Sequence, residues 1–180
     1  MERILSEKWR AKKIQKERKM DSKTKNRENT LKIRFVWKKT TDFRSRMRLR
    51  AFIQLILEEI GKKSSGSVTI VFLGEEDLLR INKEYLNHDY HTDIITFDYE
   101  CRKKGCVEAE LYISIDRVAE NAKELNVTKK EEMHRVIFHG LLHLCRYNDK
   151  SEEEKEEMQR MEDMLLSRYF GFISRKTVSW

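Results

Sequence analysis

The chain has 180 residues, of which 39% are hydrophobic and 38% are charged, and its formal net charge is +7. This is the length of one domain, and no apolar run approaches the roughly 18–20 residues that span a bilayer. No apolar segment typical of a secretory signal follows the basic N-terminus, and the three cysteines do not suggest a disulfide scaffold, so we expect a protein of the reducing cytoplasm, without a membrane span.

The positive charge is concentrated at the N-terminus. Residues 1–29 carry 11 Lys/Arg and 5 Asp/Glu, whereas the remaining 151 residues carry 27 and 26. This segment has few apolar residues and no regular apolar stripe, which predicts a mobile extension or a frayed helix. Such a tail is either simply solvated or adds electrostatic affinity for RNA.

Regular patterns begin after residue 30. Apolar and basic residues alternate over 31–37, which predicts a strand, and apolar residues spaced by three and four over 42–61 predict a helix ending at glycine. Thr128 with Glu131 is a candidate helix start. The same reasoning predicts the remaining elements, which are strands at 67–74, 94–99 and 109–115 and helices at 75–86, 116–125, 128–145 and 151–168.

This order of elements predicts one α+β domain, with a small mixed four-stranded sheet packed against about five helices. We place the domain at residues 30–170. It lies between the basic N-terminal extension, residues 1–29, and a C-terminal tail, residues 171–180.

Two histidines within the predicted helix at 128–145 are candidate metal ligands. At 100° per residue, His139 and His143 are 40° apart after one full turn, so both imidazoles project from one face. His134 lies about 140° away from His139, and we assign it to the surface or to packing. The helix is otherwise very apolar, and buried neutral imidazoles need partners, for which a metal ion is one solution.

Gly140 occupies the place that glutamate, the general base, has in the H-E-x-x-H helix of zinc proteases. This argues against an ordinary metallopeptidase. Because glycine costs a helix roughly 1 kcal/mol relative to alanine, we expect close packing of another backbone or of a substrate against this turn.

The string HGLLHLCRYND at 139–149 resembles the signature H-G-x-L-H-L-x-G-Y-D-H of the YbeY family of bacterial rRNA-maturation endoribonucleases. A second segment, INKEYLNHDYHTDIITFDYE at 81–100, resembles the family's second motif, and the likeness covers about residues 30–170. The resemblance implies a zinc site, one ion per chain, whose ligands fall on His139, His143 and Asp149. The third ligand in the family is histidine, but a carboxylate is also an accepted zinc ligand.

Asp149 has an alternative role as the N-cap of the last predicted helix. We prefer Ser151 as the cap, with Glu154 completing a capping box, because this leaves Asp149 free for the metal.

Two further departures from the family pattern affect the site. Arg146 stands where the signature has glycine, and would carry backbone strain if the position requires φ > 0. Leu86 stands where the family usually has an arginine thought to face the substrate phosphate. Arg80, His88 or a residue of the basic tail would have to replace that contact, or it is absent.

The resemblance implies a cytoplasmic, zinc-dependent, single-strand-specific endoribonuclease that acts in rRNA maturation at the 16S rRNA 3′ end and in ribosome quality control. Its partners would be ribosomal RNA and the small ribosomal subunit, without a small organic cofactor. No catalytic side chain is assigned, since a metal-bound water or an RNA 2′-hydroxyl would be the nucleophile. Candidate substrate contacts are Thr92, Asp93, Thr96, His88 and Arg80.

Two alternatives remain open. The first is a non-catalytic ribosome-assembly factor with a structural zinc site, which Leu86 favours. The second is a different metal-dependent hydrolase, such as a peptidase, which Gly140 disfavours.

Overall fold

The computed structural model describes residues 30–40, 46–99 and 101–177, with side chains to residue 171. The predicted extension at 1–29 and the predicted helix start at 42–45 therefore lie outside the described residues. The elements in chain order are β1 Leu31–Trp37, α1 Arg46–Glu59, β2 Ser65–Leu73, α2 Glu75–Leu86, β3 Ile94–Tyr99, β4 Cys106–Ser114, α3 Ile115–Glu124, α4 Lys129–Leu144 and α5 Glu152–Thr177.

The four strands form one mixed sheet in the order β1-β2-β4-β3. β1 pairs with β2 in parallel, β2 pairs with β4 in parallel, and β3 pairs with β4 in antiparallel. The parallel pairs are joined by crossovers that contain helices, as parallel strands require. The predicted α+β fold, with its mixed four-stranded sheet and five helices among the described residues, is confirmed.

The two faces of the sheet are covered by different helices. On one face, the larger core cluster unites side chains of β1, β2 and β4 with α1, α4 and α5. On the other face, a smaller cluster includes Val71, Leu73, Ile95 and Phe97 of the sheet and Leu78 of α2. Alternate residues of β3 point to opposite faces, so Ile95 and Phe97 face α2 while Ile94 and Thr96 face α4.

Several boundaries differ from those the sequence predicts. β4 begins three residues earlier, because Cys106, Val107 and Glu108 continue the pairing with β2. α5 continues to Thr177, so the predicted helix end at residue 168 is wrong by nine residues. A disulfide joins Cys101 to Cys106 across the turn between β3 and β4, which the odd cysteine count did not suggest, and Cys145 is free. No described helix has the length and apolarity that crossing a membrane requires.

Both predicted helix starts are confirmed. The Thr128 side chain accepts a hydrogen bond from the backbone N–H of Glu131 at the start of α4. At the start of α5, the Ser151 hydroxyl accepts from the Glu154 N–H, and the Glu154 carboxylate accepts from the Ser151 N–H, which is a capping box. Because Ser151 caps α5, Asp149 has no need to do so.

His134 is a packing residue, as one of the two sequence assignments proposed. Its side chain is 0% exposed, and its ring lies against Tyr169, Phe138 and Phe170. Its Nδ1 lies 2.5 Å from the carbonyl oxygen of Lys130. Burial disfavours the charged ring and lowers the pKa of His134 from 6.5 to about 4.

Gly140 is the point where α4 approaches the sheet most closely. A Cβ at this position would lie 2.6 Å from Ile94 Cδ1, 2.8 Å from Leu111 Cδ2 and 3.1 Å from Thr96 Oγ1. Packing at this glycine is therefore close, but side chains of β3 and β4 make it, and not the backbone or substrate that the sequence predicts.

We predict that Gly140→Ala lowers the free energy of unfolding by about 1 kcal/mol. Overpacking costs about 1–3 kcal/mol, and the better helix propensity of alanine returns about 1 kcal/mol. Gly171→Ala on α5 is the matched control, since a Cβ there meets no described atom within 4 Å. Urea denaturation should show Gly171→Ala to be at least as stable as the wild type, and equal stability of the two variants would contradict the packing argument.

We also predict that His134 contributes to acid destabilisation. The unfolded chain binds a proton near pH 6.5, whereas the folded protein does so only near pH 4, so its contribution is complete above pH 6.5 and is lost as the pH falls toward 4. The loss amounts to about 3 kcal/mol. Urea denaturation at pH 7 and pH 4.5 with a chelator present should show a smaller decrease for His134→Phe than for the wild type, and an equal decrease would refute this assignment.

Candidate metal centre

The end of α4 brings the three predicted metal ligands together. His139 and His143 lie one turn apart on α4, and the chain then turns back on itself to present Asp149. The turn is a Schellman motif, in which the N–H of Tyr147 donates to the carbonyl oxygen of Leu142 and the N–H of Arg146 donates to that of His143. The local sequence thus directs the loop back over the histidine face of the helix.

The ligand atoms converge on one point. His139 Nε2 lies 3.0 Å from His143 Nε2, and Asp149 Oδ2 lies 4.0 Å and 3.9 Å from these two atoms. Within the described ranges, these three side chains form the group that could hold a metal ion, with one nitrogen or oxygen atom of each lying within 4.8 Å of the other two. A tetrahedral ion with bonds of about 2.0–2.2 Å separates its ligands by about 3.3–3.6 Å, so the observed distances bracket that spacing.

The outer nitrogens of the two rings define their tautomers. His139 Nδ1 faces the Glu162 carboxylate at 2.8 Å, and His143 Nδ1 faces the carbonyl oxygen of Tyr147 at 2.9 Å. Both partners are acceptors, so each Nδ1 carries the proton and each neutral ring presents an unprotonated Nε2. Two lone pairs therefore face each other across 3.0 Å. Only a cation or a proton between them makes this contact favourable.

The surroundings shift the pKa values of His139 and His143 in opposite directions. Burial disfavours the charged form of His139, but the hydrogen bond and the negative charge of Glu162 outweigh it, and the pKa of His139 is raised. At His143, burial and the positive charge of His139 both lower the pKa. The His143 nitrogen is therefore the more readily available ligand at neutral pH, while a proton competes for His139.

The residues present fit a zinc ion. Two imidazoles and one carboxylate form a donor set found in catalytic zinc sites, where a fourth position stays open. The three side chains are partly buried, each with 12–26% of its side-chain surface exposed, so the centre is neither sealed nor fully solvated.

Glu162, which sequence reasoning missed, supports the centre from α5. Its Oε1 accepts from His139, and its Oε2 accepts from Arg135 Nη1 at 3.2 Å. Carboxylates behind metal-bound histidines hold the ring in one tautomer and orientation. A signal was present in the sequence, because Glu162 falls on the buried stripe between Met158 and Leu165, where an acid needs a partner.

Three of the five predicted substrate contacts lie near the metal helix. Thr96 faces Gly140, and its hydroxyl is buried. Asp93 accepts a hydrogen bond from Asn121 at 3.0 Å, and its charge helps to raise the pKa of His139. The Thr92 hydroxyl donates to the carbonyl oxygen of Ile94, at the start of β3.

Arg80 and His88 belong to the α2 side of the sheet. Arg80 is exposed on α2 and pairs with Asp77, while His88 follows the end of α2 and stacks on Tyr90. The sheet separates α2 from α4. The interactions of Arg80 and His88 therefore give no support for a role of either residue at the metal centre. Leu86 packs against the smaller core cluster, which gives its apolar side chain a structural function.

Arg146 takes the strained conformation that the glycine of the signature suggests. Its φ is +73°, which is the left-handed region, and it lies between His143 and Asp149 in the chain. The expected strain at this position is therefore confirmed.

Comparisons with known proteins agree with this arrangement. A family model described as Endoribonuclease YbeY matches residues 33–170. A protein named Endoribonuclease YbeY from Cytophaga hutchinsonii is 46% identical over 136 residues, which covers 74% of this chain and 93% of that one. Its namesake from Parabacteroides distasonis is 43% identical over 116 residues, covering 64% and 80%.

The fold is also similar to a solved structure. The solution structure of TM1509 from Thermotoga maritima superimposes with a TM-score of 0.53 at 24% identity, covering 81% of this chain and 93% of that one. This likeness concerns the fold alone.

We predict that Glu162→Gln weakens zinc affinity by about 10- to 100-fold, because the amide loses the charge that orients and polarises His139. Competition with a chromophoric chelator measures this directly. Glu157→Gln is the matched control, since Glu157 lies on the same helix and pairs with exposed Arg160. An affinity of Glu162→Gln within twofold of the control would exclude the supporting role.

Proposed function

The chain belongs to the YbeY family of endoribonucleases, and we propose that it is a metal-dependent endoribonuclease that cleaves single-stranded RNA. One observation carries the metal dependence. The two Nε2 atoms of His139 and His143 face each other at 3.0 Å with their protons on the outer nitrogens, and Asp149 completes the group. The endoribonuclease activity is supported by the names of relatives that align over most of their length.

In this proposal the ion is zinc, one per chain, held by His139, His143 and Asp149. When bound, zinc supplies a Lewis acid for a phosphate oxygen and lowers the pKa of a coordinated water. Glu162 holds the His139 ring in the tautomer that leaves Nε2 free, and the Tyr147 carbonyl does the same for His143. Thr92 and Asp93 are the proposed substrate contacts on the β3 side, whereas the Thr96 hydroxyl is buried against Gly140 and out of reach of a substrate.

We further propose that the substrate is ribosomal RNA of the small ribosomal subunit, with maturation of the 16S rRNA 3′ end and ribosome quality control as the setting, in the cytoplasm. The family resemblance supports this choice. A zinc ion with three protein ligands keeps one coordination position open for a substrate phosphate. Single-stranded RNA can bring a phosphate to that position more readily than a base-paired RNA helix can.

A ribosome-assembly factor with a structural zinc site is the second candidate. Leu86 is the observation that favours it, because this side chain contributes to the smaller core cluster where the family's arginine would offer a cation. A metallopeptidase has less support, since the residue after His139 is glycine and packs on the sheet.

We predict that His143→Ala abolishes both stoichiometric zinc binding and metal-dependent cleavage of single-stranded RNA, with activity reduced at least 100-fold. Removing one ligand leaves only two, which is too few for a stable zinc site. Zinc content is measured by mass spectrometry, and cleavage with an end-labelled oligoribonucleotide. His91→Ala is the control, because His91 is exposed and pairs with Glu75 away from the ligands.

The outcomes separate the candidates. Stoichiometric zinc without cleavage by the wild type would favour the assembly factor. Cleavage that survives His143→Ala would indicate a contaminating nuclease. Asp149→Asn should lose zinc affinity whereas Asp149→His should keep it, and equal zinc binding by both would remove Asp149 from the ligand set.

A further inference from the structure

Arg146 occupies a backbone position that disfavours any residue other than glycine. It is the C′ residue of the Schellman motif that ends α4, with φ +73°, a conformation that glycine adopts freely and L-residues avoid. Asn126 holds the same place after α3, with φ +53°, and asparagine is the residue that tolerates this conformation next best. An arginine at such a position indicates a use for its charge.

The guanidinium of Arg146 is not held by packing. Its side chain is 69% exposed, and its ion pair with Asp98 on β3 spans 3.6 Å, a loose contact in solvent. The backbone of the same residue is firmly placed, since its N–H donates to the carbonyl oxygen of His143 at 3.0 Å. The backbone of Arg146 is therefore fixed between the proposed ligands His143 and Asp149 in the chain, while its side chain extends into solvent.

One basic loop touches the end of α4, and a second basic loop is hydrogen-bonded to the first. A Cβ on Gly61, after α1, would lie 2.9 Å from Cys145 Sγ, so this loop touches the residue before Arg146. The N–H of Ser64 donates to the carbonyl oxygen of Gly105 at 2.8 Å, which joins the loop to the turn between β3 and β4. We call five of the cations carried by these segments the basic rim, which consists of Lys62, Lys63, Arg102, Lys104 and Arg146.

The cations of the basic rim are weakly neutralised. Several cations on the helices pair with acids three residues away, as Arg80, Arg117, Lys155 and Arg160 do. In the rim, Lys63, Arg102 and Lys104 have no ion-pair partner among the described residues, and the Lys62 ammonium donates to a backbone carbonyl. The nearby Glu59 is engaged by Arg168. A patch of weakly neutralised cations attracts an extended polyanion.

We propose that the basic rim binds the phosphates of single-stranded RNA beside the metal centre, with Arg146 serving the phosphate nearest to the ligands. This proposal rests on the proposed endoribonuclease function, because it names how that substrate is held. The turn that carries Arg102 and Lys104 is closed by a hydrogen bond from the Cys106 N–H to the carbonyl oxygen of Lys103 at 3.1 Å, so these charges project from an ordered loop.

Binding of a 2′-O-methylated RNA of about 12 nucleotides to the zinc-loaded protein tests the proposal, since such a probe covers a typical single-strand site without a free 2′-hydroxyl. Fluorescence anisotropy at several salt concentrations gives the affinity and its salt dependence. We expect Arg146→Gly to weaken binding about three- to tenfold and to reduce the slope of log K against log salt by about 0.7, the value for one phosphate. Arg102→Glu with Lys104→Glu should reduce the slope by about 1.4 or more.

Arg146→Gly introduces the residue that this backbone favours, so a loss of binding cannot be attributed to distortion of the turn. Asn126→Gly changes the equivalent position of α3, and Lys129→Glu reverses a charge at the far end of α4; both should bind like the wild type. Arg146→Lys should retain most of the affinity. Unchanged affinity and salt slope for Arg146→Gly would overturn the proposal, as would equal weakening by Lys129→Glu.

The test also separates this proposal from the proposed function. A wild type that binds the probe through the rim but cleaves no RNA would leave the rim standing and refute the nuclease. If the wild type cleaves RNA and Arg146→Gly cleaves it with unchanged KM, the rim is refuted and the nuclease stands. With both correct, Arg146→Gly raises KM and largely retains kcat.

Discussion

The contact on which this structure depends is the close approach of His139 Nε2 and His143 Nε2. His139 and His143 hold their protons toward Glu162 and toward the Tyr147 carbonyl, so their Nε2 lone pairs meet at 3.0 Å. Such a contact is favourable only with a metal ion or a proton between the two nitrogens. The surrounding architecture maintains it: the capped helix fixes the spacing, Gly140 lets α4 lie close on β3 and β4, and the turn at Arg146 returns the chain with Asp149.

The features that could be predicted from the sequence depend on residues close together in the chain. The histidine pair, the capping residues Thr128 and Ser151, and the glycine that demands close packing all follow from spacings of a few residues. Glu162 could not be assigned in the same way, because it meets His139 across 23 residues of chain through the packing of α5 on α4. An acid on an apolar stripe indicates that a partner exists, but only the tertiary structure identifies it.

The boundaries that were predicted wrongly have similar causes. Cys106 and Glu108 look like part of a polar turn, yet β2 supplies a parallel partner for each of them, and pairing extends the strand. Residues 171–177 look like a tail because glycine and basic residues follow the apolar stripe, but the helix propagates from a segment anchored by Tyr169 in the core. In both places, tertiary contacts override local propensity.

The two departures within the ligand segment are best understood together. Relative to the family signature, histidine becomes Asp149 and glycine becomes Arg146, so one negative and one positive charge enter three residues apart. A carboxylate ligand lowers the positive charge of a bound zinc ion and thereby weakens its pull on phosphate, while a guanidinium on the same loop restores a cation for that phosphate. Either change alone would alter the charge of the cleft, whereas both together conserve it. The strain at φ +73° is then the cost of placing that cation on the one loop that also carries the carboxylate.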